Sequence, residues 1–140
     1  MRPDEFLEVA NELRTIDTSA ALRSAVSRAY YAVFHAATVA QLKLGARRTR
    51  SHDVLGSRLQ ASPDAAVRLL GDRFLSLKAR RVESDYRIGS PTEVEHPATV
   101  GALVDEAREL LSMLADLPTS ERANAAAVGI RIFDGLGRTA

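Results

Sequence analysis

Residues 27–36 read SRAYYAVFHA, in a segment that is otherwise rich in alanine, valine and leucine. On a helix with about 100° per residue, Arg28 and His35 fall about 20° apart, and Tyr31 lies about 60° to one side of Arg28. These three side chains therefore share one stripe, and alanine and valine fill the wide opposite face. Their polar groups need partners or solvent beside a packed surface. The stripe is a candidate functional site on a helix that helps to form the core.

The composition indicates one globular domain. The chain has 140 residues, of which 46% are hydrophobic and 26% are charged. This length can bury one core and is too short for two ordinary domains. The formal net charge of +1 supplies no overall field that attracts nucleic acid or a membrane. Any binding of anions must therefore be local.

Two features of the composition bear on the compartment. The chain has no cysteine, which excludes disulfides and thiolate metal ligands and fits a reducing compartment. Acidic residues interrupt the first apolar segment, and no apolar run reaches about 18 residues without a charge. We therefore expect a soluble, cytoplasmic protein.

The spacing of apolar residues predicts a nearly all-helical chain, because no stretch alternates as a strand does. The first expected helix runs from near Pro3 to near Thr15, and the second runs from a cap at Asp17, Thr18 or Ser19 to about Leu44. A short third helix begins at a cap at Ser51 and continues through Leu59. The fourth runs to about Arg87 from a cap at Ser62, with Pro63 at the first helical position and Asp64 in the first turn, and the fifth runs from Pro97 to near Leu117. Gly45 supplies a left-handed stop after the second helix, and Gly89, Ser90 and Pro91 close the fourth. Short connections indicate an all-α, up-and-down bundle of four or five helices.

The bundle is expected over residues 1–118, because Pro118 ends the last long helix. Residues 119–140 form a tail that either makes one more short helix or stays disordered. Two late glycines, Gly135 and Gly137, favour fraying at its end.

Three stretches stand in a fixed order along these helices. They are residues 27–36, Ser51-His52 after a basic loop (residues 47–50), and Arg81 through Asp85-Tyr86. Together they resemble the HEPN superfamily (higher eukaryotes and prokaryotes nucleotide-binding), particularly its small stand-alone bacterial members. With the order of the helices, the resemblance covers roughly residues 5–116.

The resemblance implies an all-α, HEPN-like homodimer, encoded beside a nucleotidyltransferase as a toxin and antitoxin pair or within phage defence. Active members are endoribonucleases that need no metal or other cofactor. Their signature is an arginine, four to six residues, and then a histidine. Arg28 with His35 and Arg47 with His52 meet this spacing. In many nucleases of the family the signature lies on a later helix, where this chain has no histidine.

The Arg28, Tyr31 and His35 stripe has three interpretations. If it is catalytic, His35 serves as a general base or acid and Arg28 stabilises the phosphorane oxygens. The two lie about 10.5 Å apart along one helix, so a two-fold dimer would bring a second pair into the cleft. Alternatively, His35 is a core histidine bonded to Tyr31 or a carboxylate, with Arg28 in a buried ion pair. In the third interpretation, the chain is a non-catalytic module that binds a nucleotide or a nucleotidyltransferase.

A second polar cluster, Arg81, Asp85 and Tyr86, follows an apolar line on its helix. Arg81 should point toward the core or an interface, where Asp85 can hold it one turn later. Tyr86 has an apolar ring and a hydroxyl that needs a partner. The cluster is a structural clamp, or else Arg81 binds phosphate and a partner nucleotidyltransferase modifies Tyr86.

Arg47, Arg48, Arg50 and His52 form the only dense basic cluster of the sequence, beside a helix start that favours anions. The cluster is either a solvated loop or the element that draws the RNA backbone into the cleft. The three histidines, His35, His52 and His96, fall on separate elements, so we expect no zinc site.

Overall fold

The helices follow the apolar spacing of the sequence. The computed structural model describes residues 2–86 and 93–139. In these ranges the chain forms no strand and six α-helices, joined in places by short 3-10 turns: α1 (Pro3–Leu13), α2 (Ser19–Lys43), α3 (His52–Gln60), α4 (Ala65–Tyr86), α5 (Pro97–Asp116) and α6 (Ala123–Thr139). The expected all-α fold is confirmed. None of these helices is long and apolar enough to cross a membrane.

The longest helix, α2, lies at the centre of a helical bundle. It packs against α1, α4 and α5 and has fewer contacts with α3. Its buried positions are mostly alanine, and small side chains let neighbouring helices approach closely on several sides. Larger side chains of the neighbours, among them Phe74, Leu110 and Leu114, complete the core. The central position of α2 explains why polar groups on its remaining stripe meet residues from several helices.

The ends of α2 and the start of α3 agree with the sequence. The Thr18 hydroxyl accepts a hydrogen bond from a first-turn N–H and caps α2. At the other end, Gly45 adopts a φ of 91°, and the N–H groups of Gly45 and Ala46 donate to carbonyls of the last turn. This is the Schellman arrangement that favours glycine. Ser51 caps α3 by accepting from a backbone N–H, as predicted.

The start of α4 corrects one prediction. Asp64, rather than Ser62, caps this helix, because its Oδ1 accepts hydrogen bonds from the N–H groups of Ala66 and Val67. These bonds, that from Val67 foremost, hold the pKa of Asp64 below its usual value. Pro63 therefore precedes the cap instead of occupying the first helical position. The predicted end near Arg87 and the closing residues Gly89, Ser90 and Pro91 lie outside the described residues.

The tail is helical, which is one of its two expected forms. Its helix, α6, packs against α3 and buries Ala126 and Ile130. The Ser62 hydroxyl donates to the Ala125 carbonyl at 2.9 Å. The helix therefore belongs to the packed structure and extends the core beyond Pro118.

Candidate functional site

The predicted stripe on α2 places its three side chains in different surroundings. Arg28 is exposed, and within the described residues it makes no hydrogen bond or ion pair. Tyr31 and His35 are half-buried, with their ring centroids 6.5 Å apart. The alternative in which Arg28 forms a buried ion pair is therefore wrong, because its guanidinium faces solvent.

His35 is held by ring contacts. Its imidazole stacks on Phe6 of α1, with centroids 5.1 Å apart and an angle of 21° between the planes. Phe34 meets it edge-on at 5.2 Å. No hydrogen bond to the imidazole forms in the part of the chain that the structure describes, so the expected bond to Tyr31 or a carboxylate is absent there. Burial lowers the pKa of His35, so the ring is neutral at pH 7.

His52 follows the basic loop in sequence, but its ring turns away toward α2. It stacks on Phe34 at 4.2 Å and on Tyr30 at 5.5 Å. Its Nδ1 lies 2.6 Å from the hydroxyl of the fully buried Tyr30. Burial lowers the pKa of His52, and the positive charge of Arg81 adds to this effect. His35 and His52 thus both contact the ring of Phe34, His35 edge-on and His52 by stacking.

Arg81 makes the ion pair with Asp85 that the first of the two interpretations of this cluster expects. Its Nη2 donates to the Tyr31 hydroxyl at 2.7 Å, and its Nε lies 3.0 Å from Asp85 Oδ2 at an angle that makes no hydrogen bond. The guanidinium also lies over the Tyr31 ring, 5.2 Å from the centroid. Tyr86 contacts Arg81 through its ring at 5.9 Å, yet 70% of its surface is exposed. Arg81 therefore joins α4 to the stripe on α2.

The three arginines of the basic loop stay apart from the stripe. Arg47, Arg48 and Arg50 are exposed, and within the described ranges no hydrogen bond or ion pair holds their side chains. The structure separates them from His52, whose ring belongs to the aromatic contacts of α2. The sequence grouped these four residues because they are neighbours along the chain.

A polar hollow of about 650 Å³ lies beside Arg28. Arg23, Arg28, Tyr31 and Asp85 line it, together with four serines, Ser19, Ser24, Ser27 and Ser84. The Ser27 hydroxyl lies 3.4 Å from Asp85 Oδ2. The hollow therefore offers one cation with no partner in the described chain, several hydroxyls and one carboxylate.

The chain was compared with known proteins. No protein-family model, curated protein or solved structure matches the chain.

The ring partners of the two histidines were not predicted from the sequence. Phe6 lies on α1, far from His35 in sequence, and its apolar spacing assigned it only to the core. Tyr30 lies next to Tyr31 but on another face of α2, and its burial beside His52 could not be read from one helix alone. A signal was present, since a buried tyrosine needs a partner for its hydroxyl.

The arrangement is suited to moving protons and holding a phosphate. It offers two neutral imidazoles at pH 7 and one exposed guanidinium on the same helix as His35. No three acidic or histidine side chains in the described residues are grouped to hold a metal ion. The groups present are those of acid and base chemistry.

Proposed function

We propose that this chain is a HEPN-type protein and a metal-independent endoribonuclease, acting in a toxin and antitoxin or phage-defence setting. The observation that carries the proposal is the imidazole of His35, held by ring contacts with Phe6 and Phe34 on the helix that also presents the exposed Arg28. Cleavage of RNA without a metal needs a base, an acid and positive charge on the phosphorane. In this proposal one subunit supplies the base and the positive charge, and a second subunit supplies the acid.

His35 is the base in this proposal. A base must be neutral before the reaction, and burial keeps the pKa of His35 below its ordinary value. The stack on Phe6 fixes the ring while leaving its nitrogens free of partners in the described chain. His35 takes the proton of a 2′-hydroxyl, and the 2′-oxygen attacks the phosphorus. The products are a 2′,3′-cyclic phosphate and a free 5′-hydroxyl.

Arg28 supplies the positive charge. Its guanidinium is exposed beside a polar hollow, so a phosphate can reach it without breaking an ion pair. Arg81 is less available, because Tyr31 and Asp85 already occupy its guanidinium. A planar guanidinium binds two phosphate oxygens at once and stabilises the charge that develops on them.

The leaving 5′-oxygen needs a proton from an acid. A two-fold homodimer would bring a second Arg28 and His35 to the same cleft, so that the neutral His35 of one subunit is the base and the partner's His35, in its protonated form, is the acid. The resemblance to HEPN proteins implies such a dimer. The proposal therefore includes a homodimer as the active form.

The test is cleavage of a single-stranded RNA by the purified protein in excess chelator. We expect products that end in a 2′,3′-cyclic phosphate. Loss of a general base lowers a rate about 100-fold or more, so His35→Ala should lose at least that factor. Arg28→Ala should lose activity as well.

His96→Ala is the matched control, because His96 is an exposed histidine at the start of α5, away from these ring contacts. Its cleavage rate should equal that of the native chain. Cleavage that persists in His35→Ala, or that stops in chelator, would refute the proposed mechanism.

A second candidate is a non-catalytic HEPN module that binds a nucleotidyltransferase or a nucleotide. The clamp of Arg81, Tyr31 and Asp85 favours it, since Arg81 is already hydrogen-bonded to Tyr31 and paired with Asp85 without a ligand. In that case RNA stays intact, and the native chain forms a stable complex with the nucleotidyltransferase encoded beside it or binds a nucleotide at the Arg28 hollow.

A further inference from the structure

Arg58 is a buried arginine that joins three parts of the chain. It lies on α3 and is only 4% exposed. Its Nε and Nη2 lie 3.0 and 3.2 Å from the two carboxylate oxygens of Asp134 on α6. Its Nη1 donates to the side-chain oxygen of Gln41 on α2 at 3.2 Å and to the backbone carbonyl of Arg47 at 3.1 Å. One guanidinium therefore connects α6, α2 and the basic loop.

The basic loop is held by its backbone and leaves its cations free. Arg58 binds the carbonyl of Arg47, and Thr49 accepts a hydrogen bond from the N–H of Ser51 at 3.0 Å. The side chains of Arg47, Arg48 and Arg50 project into solvent. Ordering the backbone in this way presents three guanidinium groups together, which lowers the entropy lost when they bind an anion.

Close packing of α6 on α3 sets the position of Asp134. A Cβ atom added at Gly129 would lie 2.7 Å from the backbone nitrogen of Ser62 and 2.8 Å from the backbone carbonyl oxygen of Arg58. The backbones of the two helices are therefore in direct contact at this point. Asp134 lies further along α6 and reaches Arg58 from there. Without Asp134 the charge of Arg58 would be buried without its carboxylate, which is unfavourable.

We propose that α6, through Asp134 and Arg58, positions the basic loop to bind the phosphodiester backbone of RNA. This inference rests on the proposed function, because RNA is the ligand. Arg58 and Asp134 are positioning residues that act through the carbonyl of Arg47, and neither has to touch RNA. The C-terminal helix is then part of the RNA-binding apparatus.

The test compares Asp134→Ala with Arg122→Ala. Arg122 precedes α6 and pairs with Asp64 at 3.4 Å, so its loss removes another contact of this region without reaching the loop. Two quantities are measured: hydrogen exchange of the backbone amides of residues 46–51 without RNA, and affinity for a 2′-O-methyl oligoribonucleotide, which lacks the nucleophile for cleavage. In Asp134→Ala we expect faster exchange and about tenfold weaker binding, since both follow from a disordered loop. Arg122→Ala should keep native values of both.

A double variant separates positioning from stability. In Arg58→Met with Asp134→Leu both buried charges are gone, and apolar replacement of a buried ion pair leaves a fold about as stable as before. The variant still lacks a donor to the Arg47 carbonyl. We expect native-like thermal stability, fast exchange of the loop amides and weak binding. Native binding by this variant would overturn the inference, because the ion pair would then serve stability alone.

The remaining outcomes are also distinct. Native exchange rates in Asp134→Ala overturn the inference whether or not RNA binds. Faster exchange with unchanged affinity overturns it and leaves the proposed function standing. If the native chain binds no RNA, the proposed function fails and the RNA role of the loop fails with it, while the exchange rates still decide whether α6 orders the loop.

Discussion

At the scale of single residues, the contact between Tyr30 and His52 decides which imidazole nitrogen carries a proton. Burial raises the pKa of Tyr30 far above its ordinary value, so the hydroxyl stays protonated. Its hydrogen has Nδ1 of His52 as an acceptor at 2.6 Å. We therefore assign the proton of the neutral imidazole to Nε2. His52 then presents an N–H donor, whereas His35 keeps a nitrogen available to accept a proton.

This contact predicts a dependence of stability on pH. Burial and the charge of Arg81 lower the pKa of His52, so below about pH 6.5 the unfolded chain binds a proton that the folded chain resists. The contribution of a neutral His52 to the free energy of unfolding is therefore complete above that pH and is lost as the pH falls through the lowered pKa. His52→Phe keeps a ring on Phe34 and cannot titrate.

The measurement is the free energy of unfolding of the native chain and of His52→Phe between pH 7.5 and pH 5. At pH 7.5 the variant should be less stable by about 1–3 kcal/mol, because the buried Tyr30 hydroxyl loses its acceptor. This difference should shrink as the pH falls, since protonation of His52 lowers the free energy of unfolding of the native chain only. Two parallel curves would show that His52 does not resist protonation in the fold.

At the scale of elements, two glycines of α6 stand in opposite surroundings. A Cβ atom at Gly129 would lie 2.8 Å from the carbonyl oxygen of Arg58 in α3, whereas a Cβ atom at Gly135 would meet nothing within 4 Å. Alanine favours a helix over glycine by about 1 kcal/mol at either position. The two substitutions therefore gain the same helix propensity and differ only in what the added methyl group contacts.

We expect Gly129→Ala to lower the free energy of unfolding by about 1–2 kcal/mol, because α6 must move away from α3 to fit the methyl group. Gly135→Ala should leave that free energy unchanged or raise it by up to about 1 kcal/mol. Chemical denaturation of both variants and the native chain measures the difference. Equal effects of the two substitutions would mean that α6 is not packed closely on α3.

The elements were largely predictable because their signals are local. Thr18, Gly45 and Ser51 mark helix ends through bonds to backbone groups a few residues away. Asp64 and Ser62 show the limit, because both can cap a helix and only the folded chain selects between them. Which of these two nearby acceptors caps the helix depends on the path of the chain that precedes it.

The candidate site was predictable only in part, because its contacts join distant elements. The clamp of Arg81 and Asp85 lies within one helix, so spacing was sufficient to find it. The ring of His52 reaches Phe34 across a loop, and neither side chain signals the other in the sequence. The contact of Arg58 with Asp134 spans 76 positions and depends on a tail whose form the sequence left open.

At the scale of the whole molecule, the net charge is too low to attract nucleic acid, so any attraction must come from local groups of cations. The net charge is only +1, and most cations of the described chain lie near a carboxylate or a carbonyl, as Arg14 does with Asp105 at 2.7 Å. The loop arginines differ from these, as Arg28 does, because their side chains are exposed and have no partner in the described residues. Binding of RNA should therefore depend on this loop and not on the total charge.

Replacing Arg47, Arg48 and Arg50 together with alanine tests this expectation. Each phosphate contact on a single strand contributes about 0.7 to the slope of log affinity against log salt concentration, so the slope should fall by up to about 2. The control replaces three exposed arginines elsewhere, Arg2, Arg108 and Arg131, which changes the net charge equally. It should keep the native slope, because these three arginines do not form a cluster on one loop. If both triple variants lower the slope equally, the loop is not the place where the RNA backbone binds, and the attraction comes from the charge of the molecule as a whole.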